Sequence, residues 1–307
     1  MIIKDFRRYY DDFIYIDPKL KLLKKPFYYR LITTQKGKKR LLEIPFDEIK
    51  SLSKLYCELF QKIPCPTYNY AGYKGQSAYK NALVHIGNFA FVTIDIEDFY
   101  QNSKTKHVKD MLVNKFGINE SEDRELLDFL LKILTYNGHI PTGAPASPIL
   151  AFLTHKDLFD EIYEYTKALG ITFTLYYDDI TLSAKHGITM EVVKHICKIL
   201  SKHGLKINPK KTKFYNYKKA LITGYYVLQS GKISVPDHFG HDVIIMLKEK
   251  NITDMSKTEL ERLIGKITHI QHVNKKAFKV VKNIACKQLS KTVKELERKS
   301  KNEKNNN

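Results

Sequence analysis

Apolar and polar residues follow several distinct rhythms along the chain. Residues 27–34 and 39–44 are rich in aromatic and β-branched side chains around a Gln-Lys-Gly-Lys turn, which predicts a β-hairpin. From Phe46 the apolar residues recur at helical spacing, and this pattern predicts a helix that ends before Pro64. Residues 67–80 are rich in Tyr, Gly and Lys and predict an irregular loop.

A nearly continuous apolar run at residues 89–96 ends in acidic side chains, as a buried central strand would. Helical patterns follow at about 104–116 and 122–136. A Gly- and Pro-rich loop is predicted at 138–148, and residues 149–169 predict one long helix.

Two further apolar strands, 171–177 and 180–184, flank a pair of adjacent aspartates, so we expect a β-hairpin with two carboxylates at its tip. The remaining predicted elements are a helix at 188–203, strands near 213–217, 220–228 and 232–235, and three helical stretches up to about residue 300. Around residues 89–217 the order β-α-α-β-β-α-β favours an α+β fold, in which a sheet carries helices on one face.

Charge adds information that the hydrophobic pattern lacks. The 307 residues suggest about two domains, and 43% hydrophobic residues are enough for a substantial core. Lys and Arg number 52 against 33 Asp and Glu, which gives a formal net charge of +19. Because basic side chains on phosphates release counterions, nucleic acid is the favoured partner, and a merely solvated basic surface is the alternative.

The charges are unevenly distributed. Cations cluster at 36–40, 202–219 and 275–304, and acids cluster at 95–98, 120–128 and 178–179. This distribution suits a groove for a polyanion that contains a metal site. No stretch approaches the ~18 apolar residues of a membrane helix, no secretory signal is visible, and the four cysteines form no C-x-x-C pair. We therefore expect a soluble, cytoplasmic protein without a membrane partner.

Three aspartates are the main candidates for chemistry. Asp95 ends an apolar strand, and Asp178 and Asp179 lie between two others. Such carboxylates are costly to desolvate unless they are paired or bind a cation, and Mg²⁺ prefers oxygen ligands. Together they could hold two Mg²⁺ ions for in-line displacement at phosphorus. An ordinary solvated turn is the alternative for the adjacent pair, and we expect Glu97 and Asp98 to point elsewhere or to cap the next segment.

The segments around these aspartates resemble those of reverse transcriptases. The family's Y-x-D-D motif stands at residues 176–179, its first acidic segment at 95–100, and its Q-G-x-P-x-S-P loop at 142–148. Retron reverse transcriptases are the more specific match, because their N-A-x-x-H signature stands at 81–85 and their V-T-G signature at 222–224.

This resemblance implies a right-hand polymerase with fingers, palm and thumb. The fingers, with an N-terminal helical segment, would span 1–88. The palm would span 89–235, with a fingers insertion at about 104–148, and would contain an antiparallel sheet with the Y-x-D-D hairpin. A basic, helical thumb would span 236–307.

The resemblance also implies catalytic roles. Asp95, Asp178 and Asp179 would bind the two Mg²⁺ ions, and Lys211 would protonate the leaving pyrophosphate, with Lys210 as the alternative. The retron family more often has Ala at position x of Y-x-D-D, where this chain has a Tyr, so we expect an altered fit at the primer end.

Five residues are implied in binding the incoming deoxynucleotide. Tyr100 resembles the aromatic gate that excludes a ribose 2′-hydroxyl, and an ordinary core aromatic is the alternative. Arg40 resembles the fingers arginine that holds the triphosphate, with Lys38 beside it, and contact with template phosphate is the alternative for this hairpin tip. Thr142 and Gly143 stand where the family has Gln-Gly, and we expect the shorter Thr to weaken nucleotide positioning or fidelity.

The retron signatures imply RNA-binding roles for Asn81, His85, Thr223 and Gly224, although His85 is as readily structural. The basic residues of the C-terminal helices would follow RNA phosphates, and we hypothesise that residues 240–307 select the cognate RNA. Two H-x-x-H pairs, at 238/241 and 269/272, are expected to be surface histidines rather than zinc ligands.

We therefore expect an RNA-directed DNA polymerase of the retron type. It would bind its own structured non-coding RNA and dNTPs, and would start DNA synthesis from a guanosine 2′-hydroxyl to give branched multicopy single-stranded DNA (msDNA). The resemblance further implies anti-phage defence together with a separate effector or toxin protein. The alternatives are another bacterial reverse transcriptase, such as a group II intron-like or a diversity-generating one, or a catalytically idle RNA-binding scaffold.

Overall fold

A computed structural model describes the backbone of residues 2–16, 27–33, 39–216 and 219–305. The chain forms two compact units. The first unit comprises Met1–Asn81 and Asn88–Asn216, and the second comprises Ala82–Gly87 and Tyr217–Asn307. The division into fingers, palm and thumb stays a prediction.

The first unit combines helices with two antiparallel sheets, which confirms the predicted α+β class. Its strands are β1 (Phe27–Thr33), β2 (Lys39–Pro45), β3 (Ala90–Asp95), β4 (Thr172–Tyr176), β5 (Asp179–Ala184) and β6 (Lys213–Asn216). Its helices are α1 (Ile2–Ile16), α2 (Asp47–Phe60), α3 (Ala78–Leu83, which continues into the second unit), α4 (Phe99–Asn102), α5 (Thr105–Phe116), α6 (Arg124–Leu134), α7 (Ser147–Thr154), α8 (Lys156–Ala168) and α9 (Met190–Lys202).

The larger sheet has the strand order β4-β5-β3-β6. Strand β3 lies inside it because its side chains are mostly apolar and buried, as its sequence predicts. It pairs antiparallel with β5 from Ala90 opposite Ala184 to Asp95 opposite Asp179. This register brings the C-terminal end of β3 next to the N-terminal end of β5, at one end of the sheet's strands.

Helices pack around the sheet through continuous apolar faces. The stripe predicted on α2 is buried, including Ile49, Leu52, Tyr56, Leu59 and Phe60. Phe6 of α1 stacks on Tyr56 with ring centroids 5.6 Å apart. The first unit therefore has one core to which α1, α2, the sheet and the following helices all contribute.

The single helix predicted over 149–169 is wrong in one respect, because α7 ends at Thr154 and α8 begins at Lys156. His155 lies at the break and is buried, with its Nε2 atom 3.0 Å from Ser103 Oγ. Burial lowers the pKa of His155 to about 3. The chain therefore bends where a buried polar side chain finds a partner in another segment.

The second unit contains a three-stranded sheet and a small helical core. Its elements are β7 (Ala220–Ile222), β8 (Tyr225–Val227), β9 (Ile233–Ser234), α10 (His238–Glu249), a 3-10 turn (Ile252–Asp254), α11 (Lys257–Gln271) and α12 (Lys279–Asn305). Ser256 and Glu259 form a capping box at the start of α11. Buried residues such as Val243, Leu263 and Ala285 form the core. Within the described residues, no helix combines the length and the apolar character needed to cross a membrane.

The strand predicted at 220–228 is two strands joined by a tight turn. Thr223 and Gly224 both have positive φ, 45° and 88°, as a two-residue hairpin turn of this kind requires. Gly tolerates this conformation without a steric penalty. The turn was missed because the apolar residues on either side of it read as one continuous run.

Candidate active site

Three aspartates lie close together at this end of the larger sheet. Asp95 and Asp179 are direct partners in the β3–β5 register, and the backbone N–H of Ile96 donates to the backbone oxygen of Asp178 at 2.9 Å. Tyr177, the first residue of the β4–β5 turn, has φ of 57°, in the left-handed region. We call the cluster of Asp95, Asp178 and Asp179 the acidic corner.

The carboxyl group of Asp179 shows the electrostatics of the acidic corner. Its pKa is raised to about 7, first by burial of the carboxyl group and then by repulsion from Asp178 and Asp95, while Lys211 acts in the opposite direction. The residue as a whole stays open to solvent at the start of its strand. Excess negative charge at an accessible position is an arrangement that a cation relieves.

Lys211 is held against the acidic corner by its own loop. The backbone N–H of Asn208 donates to the backbone oxygen of Asp95 at 2.8 Å, and Asn208 in turn accepts from the backbone N–H of Lys211 at 3.1 Å. Lys211 Nζ donates to Asp95 Oδ1 at 2.5 Å. Lys210 is solvent-exposed, and its backbone N–H donates to Asn208 Oδ1. Asn208 is therefore a site residue that sequence reasoning missed.

The donor set of the acidic corner suits Mg²⁺, which prefers carboxylate oxygens. In the part of the chain that the structure describes, no three His, Cys, Asp or Glu side chains already enclose a metal position. Lys211 satisfies Asp95 instead. The residues fit a divalent ion in chemical type, and the second carboxylate oxygen of Asp95 has no contact with Lys211 Nζ among the described hydrogen bonds.

Tyr100 lies beside the acidic corner. It belongs to the short helix α4, is half-buried, and its pKa is raised by burial, by Asp178 and by Tyr177. Its neighbour Phe99 is 3% exposed and belongs to the core. Asp98 has φ of 45° and its side chain makes no capping hydrogen bond to α4, so the expected capping role is not seen.

The nucleotide-side candidates fall on β2 and on the loop before α7. Arg40 lies in β2 opposite Ile32, with its side chain outside the described part, and Lys38 lies outside the described residues. Thr142 Oγ1 accepts a hydrogen bond from the backbone N–H of Glu43 at 3.3 Å. A Cβ atom on Gly143 would lie 2.4 Å from Glu43 O, so this position requires glycine. The structure thus brings β2 and the Thr142–Gly143 segment together.

The N-A-x-x-H signature is buried rather than displayed. The side chains of Asn81 and His85 are both fully buried, and burial lowers the pKa of His85 to about 3. Direct contact with RNA would require this segment to open. For Asn81 and His85 we therefore keep a structural role in place of the RNA-binding role that the resemblance implied.

The Thr223–Gly224 turn is fixed from α11. His269 Nε2 lies 3.1 Å from the backbone oxygen of Gly224, and its ring stacks on both Tyr225 and Phe239 at 4.2 Å. The expectation that His269 is an ordinary surface histidine is therefore wrong. Aromatic packing holds this side chain, and H-x-x-H spacing gave no sign of it.

A cavity of about 670 Å³ adjoins the Y-x-D-D hairpin. It is lined by the rings of Tyr70, Tyr73, Tyr176 and Tyr177, by the polar side chains of Glu58, Gln61, Lys74 and Gln76, and by Ala71, Gly72, Pro145, Pro148 and Ile149. The segment before Gly72 is held beside β4, because the backbone N–H of Tyr70 donates to the oxygen of Leu175 at 2.9 Å. The predicted irregular loop is therefore one wall of this cavity.

Comparison with known proteins gives consistent findings. The family model described as reverse transcriptase (RNA-dependent DNA polymerase) matches residues 23–227. The chain is 30% identical over 264 residues to the retron Ec86 reverse transcriptase of Escherichia coli. The match covers 82% of this chain and 79% of that protein. It is 27% identical to the retron Se72 reverse transcriptase of Salmonella heidelberg, over 65% of this chain and 54% of that protein.

Among solved structures, the fold is similar to that of telomerase from Candida albicans in complex with a fragment of telomeric RNA. The TM-score is 0.53 at 12% identity, and the match covers 90% of this chain and 56% of that one. At this identity the likeness concerns the fold alone. Together with the family match, it confirms the predicted polymerase fold.

Proposed function

The chain belongs to the reverse transcriptase family, as an RNA-directed DNA polymerase of the retron type, and on that premise we propose that it makes branched msDNA on its own structured non-coding RNA. The acidic corner is the observation that carries the chemical part of this proposal. The retron relatives support the part that concerns the RNA and the branched product.

We assign Asp95, Asp178 and Asp179 to two Mg²⁺ ions. Bound there, the ions would lower the pKa of the attacking hydroxyl and neutralise charge on the triphosphate and the pyrophosphate. Asp95 and Asp179 lie at the ends of two paired strands, so the sheet fixes their spacing, and Asp178 lies in the adjoining turn, where its backbone oxygen bonds to Ile96 N–H. Rigid placement of this kind is what nucleotidyl transfer requires of a protein.

The attacking hydroxyl is a guanosine 2′-hydroxyl at the start and a DNA 3′-hydroxyl afterwards. It would give its proton to solvent water, its oxygen would bond to the α-phosphorus of a dNTP, and the bond from the α-phosphorus to the bridging oxygen would break as pyrophosphate leaves. We propose that the Lys211 ammonium group gives its proton to that leaving group. The Asn208 backbone holds the segment that carries this lysine at the acidic corner.

The incoming dNTP would lie between β2 and the acidic corner. Arg40 and Lys38 would bind its phosphates, because a guanidinium fork can bond two phosphate oxygens at once. Thr142 and Gly143 would line the base side. Tyr100, beside Asp178, would exclude a 2′-hydroxyl at the sugar.

The RNA template would enter along the cavity at the Y-x-D-D hairpin. Of the tyrosines in its lining, Tyr70, Tyr176 and Tyr177 are half-buried, and their rings would offer faces on which unpaired bases can stack. Lys74 would offer a cation for phosphate. In the second unit, the basic residues of α12 would contact the RNA duplex and contribute to RNA choice. A role in anti-phage defence, with a separate effector protein, completes the proposal on the strength of the retron resemblance.

The test uses the full chain with its flanking non-coding RNA, Mg²⁺ and labelled dNTPs. Labelled DNA should stay joined to RNA on a denaturing gel, and ribonuclease should trim it to DNA that carries a branched remnant. The double variant Asp178→Ala with Asp179→Ala should make no DNA and should bind the RNA with nearly unchanged affinity. An equal loss of RNA affinity would show that these acids serve folding. DNA that separates from RNA without nuclease would reject the branched product.

A further inference from the structure

Glu43 is a buried carboxylate with no role in the chemistry described so far. It lies on β2 with only 5% of its surface exposed. Its Oε2 atom accepts from the backbone N–H of Thr142 at 3.4 Å, and its Oε1 atom lies 3.5 Å from His139 Nε2. A buried carboxylate without partners would be strongly destabilising, so these two contacts are needed to keep it in place.

The backbone of Glu43 makes a second set of contacts with the same loop. Its N–H donates to Thr142 Oγ1 at 3.3 Å, so the two residues bond reciprocally. Its carbonyl oxygen faces Gly143 so closely that a Cβ atom there would lie 2.4 Å away. Strand β2 and the Thr142–Gly143 loop are therefore in contact through the Glu43 side chain, through its backbone N–H, and through its carbonyl oxygen, which lies close to Gly143.

This contact joins the two segments that would bind the incoming nucleotide. Strand β2 carries Arg40 three residues before Glu43, and the loop carries Thr142 and Gly143. The same loop continues through Pro145, which lines the cavity beside the Y-x-D-D hairpin. All of these residues belong to the first compact unit.

We propose that Glu43 is a positioning residue for the incoming dNTP, which sets the distance between the Arg40 strand and the Thr142–Gly143 loop. The inference rests on the proposed nucleotide-binding role of these segments. Glu43 acts through Thr142 and His139 and does not touch the nucleotide itself.

The test is steady-state dNTP incorporation on a preformed RNA–DNA primer duplex. Glu43→Ala should raise the KM for dNTP about tenfold, the effect of losing one hydrogen bond to a charged group. The kcat and the affinity for the duplex should change less than about twofold. Glu43→Gln should restore most of the KM, because an amide oxygen can still accept from the Thr142 N–H.

Glu48→Ala is the matched control, since Glu48 is an exposed acid five residues further on, in the first turn of α2. It should leave KM unchanged. If Glu43→Ala folds poorly, His139→Phe removes the other side-chain partner of Glu43 while keeping a ring at that position, and it should also raise KM. A purely structural role would lower the fraction of active enzyme and kcat at constant KM, and that result overturns the proposal.

Arg40→Ala distinguishes failure of the Glu43 proposal from failure of the proposed nucleotide site on which it rests. If Arg40→Ala leaves the KM for dNTP unchanged, the nucleotide site is wrongly placed and the function proposed for β2 fails. If Arg40→Ala raises KM while Glu43→Ala and His139→Phe do not, only the positioning role of Glu43 fails.

Discussion

Two β-hairpins of this protein have two-residue turns with a similar backbone conformation but different surroundings. The β4–β5 hairpin turns at Tyr177 and Asp178, and the β7–β8 hairpin turns at Thr223 and Gly224. Both turns begin with a non-glycine residue at positive φ, 57° at Tyr177 and 45° at Thr223. Neither residue type favours that conformation.

The surroundings of the two turns explain the difference in sequence. The first turn presents acidic groups that repel one another, and the ring of Tyr177 packs edge-on against its neighbour Tyr176, at 4.7 Å. The second turn is held by His269, which bonds to Gly224 and stacks on Tyr225. In the first turn, the strained backbone conformation places the Asp178 and Asp179 carboxylates close together. In the second turn, it places Gly224 and Tyr225 against His269.

Removing a charge from the first turn should give the largest effect and should separate function from stability. Asp179→Asn should reduce DNA synthesis about a thousandfold or more, because the variant loses a carboxylate that we propose as an ion ligand. Thermal unfolding in EDTA should show a Tm that is equal to or higher than that of the unchanged protein. The reason is that the charged form of Asp179 is disfavoured in the fold by burial, Asp178 and Asp95.

The control for this variant is Asp128→Asn, an exposed acid on α6 that should change neither quantity. Two results would contradict the comparison. Synthesis within tenfold of normal would remove Asp179 from the metal site, and a clear fall in Tm would show that its charge stabilises the fold.

A methyl group in the second turn should have an intermediate effect on stability. Gly224→Ala places a side chain at φ of 88° with its Cβ 3.3 Å from His269 Cε1, so we expect a loss on the order of 1–3 kcal/mol. Hydrogen exchange of the described residues from 219 onward should locate the loss in the second unit. Gly240→Ala, on helix α10 with open space around it, is the matched control and should be neutral or slightly stabilising. Equal protection in both variants would show that the turn is not strained.

The smallest effect is expected at Tyr177. Tyr177→Asn exchanges a ring for a residue that tolerates positive φ, and this gain offsets the lost contact with Tyr176, worth about 0.5–1.5 kcal/mol. The free energy of unfolding in urea should therefore change by less than about 1 kcal/mol. Tyr177→Val should cost more, because a β-branched residue is poorly suited to this backbone conformation. If Asn and Val cost the same, ring packing rather than backbone strain governs the turn.

Local patterns predicted the elements at the acidic corner well. An apolar strand that ends in Asp95 and an apolar pair around Asp178 are short-range signals, and strand pairing then leaves few ways to arrange them. The motif resemblance added roles to these positions. The sequence alone could not reveal that Lys211 bonds to Asp95, because that contact depends on how the Asn208 turn packs against β3.

What the sequence did not predict depends on contacts between distant segments. Glu43 looks like an ordinary strand acid, and its burial follows only from the loop 99 residues later that covers it. The break at His155 depends on Ser103, and the position of His269 depends on Tyr225 and Phe239. Tertiary partners override local propensity in each of these cases.

The contact between Lys211 and Asp95 fixes where a proton donor lies at the acidic corner. An ammonium group has three N–H donors, so the same lysine could bond to Asp95 and to a phosphate group at once. Asp95 would then hold Lys211 where we propose that pyrophosphate leaves, and a single ion pair would both balance charge and aim the acid.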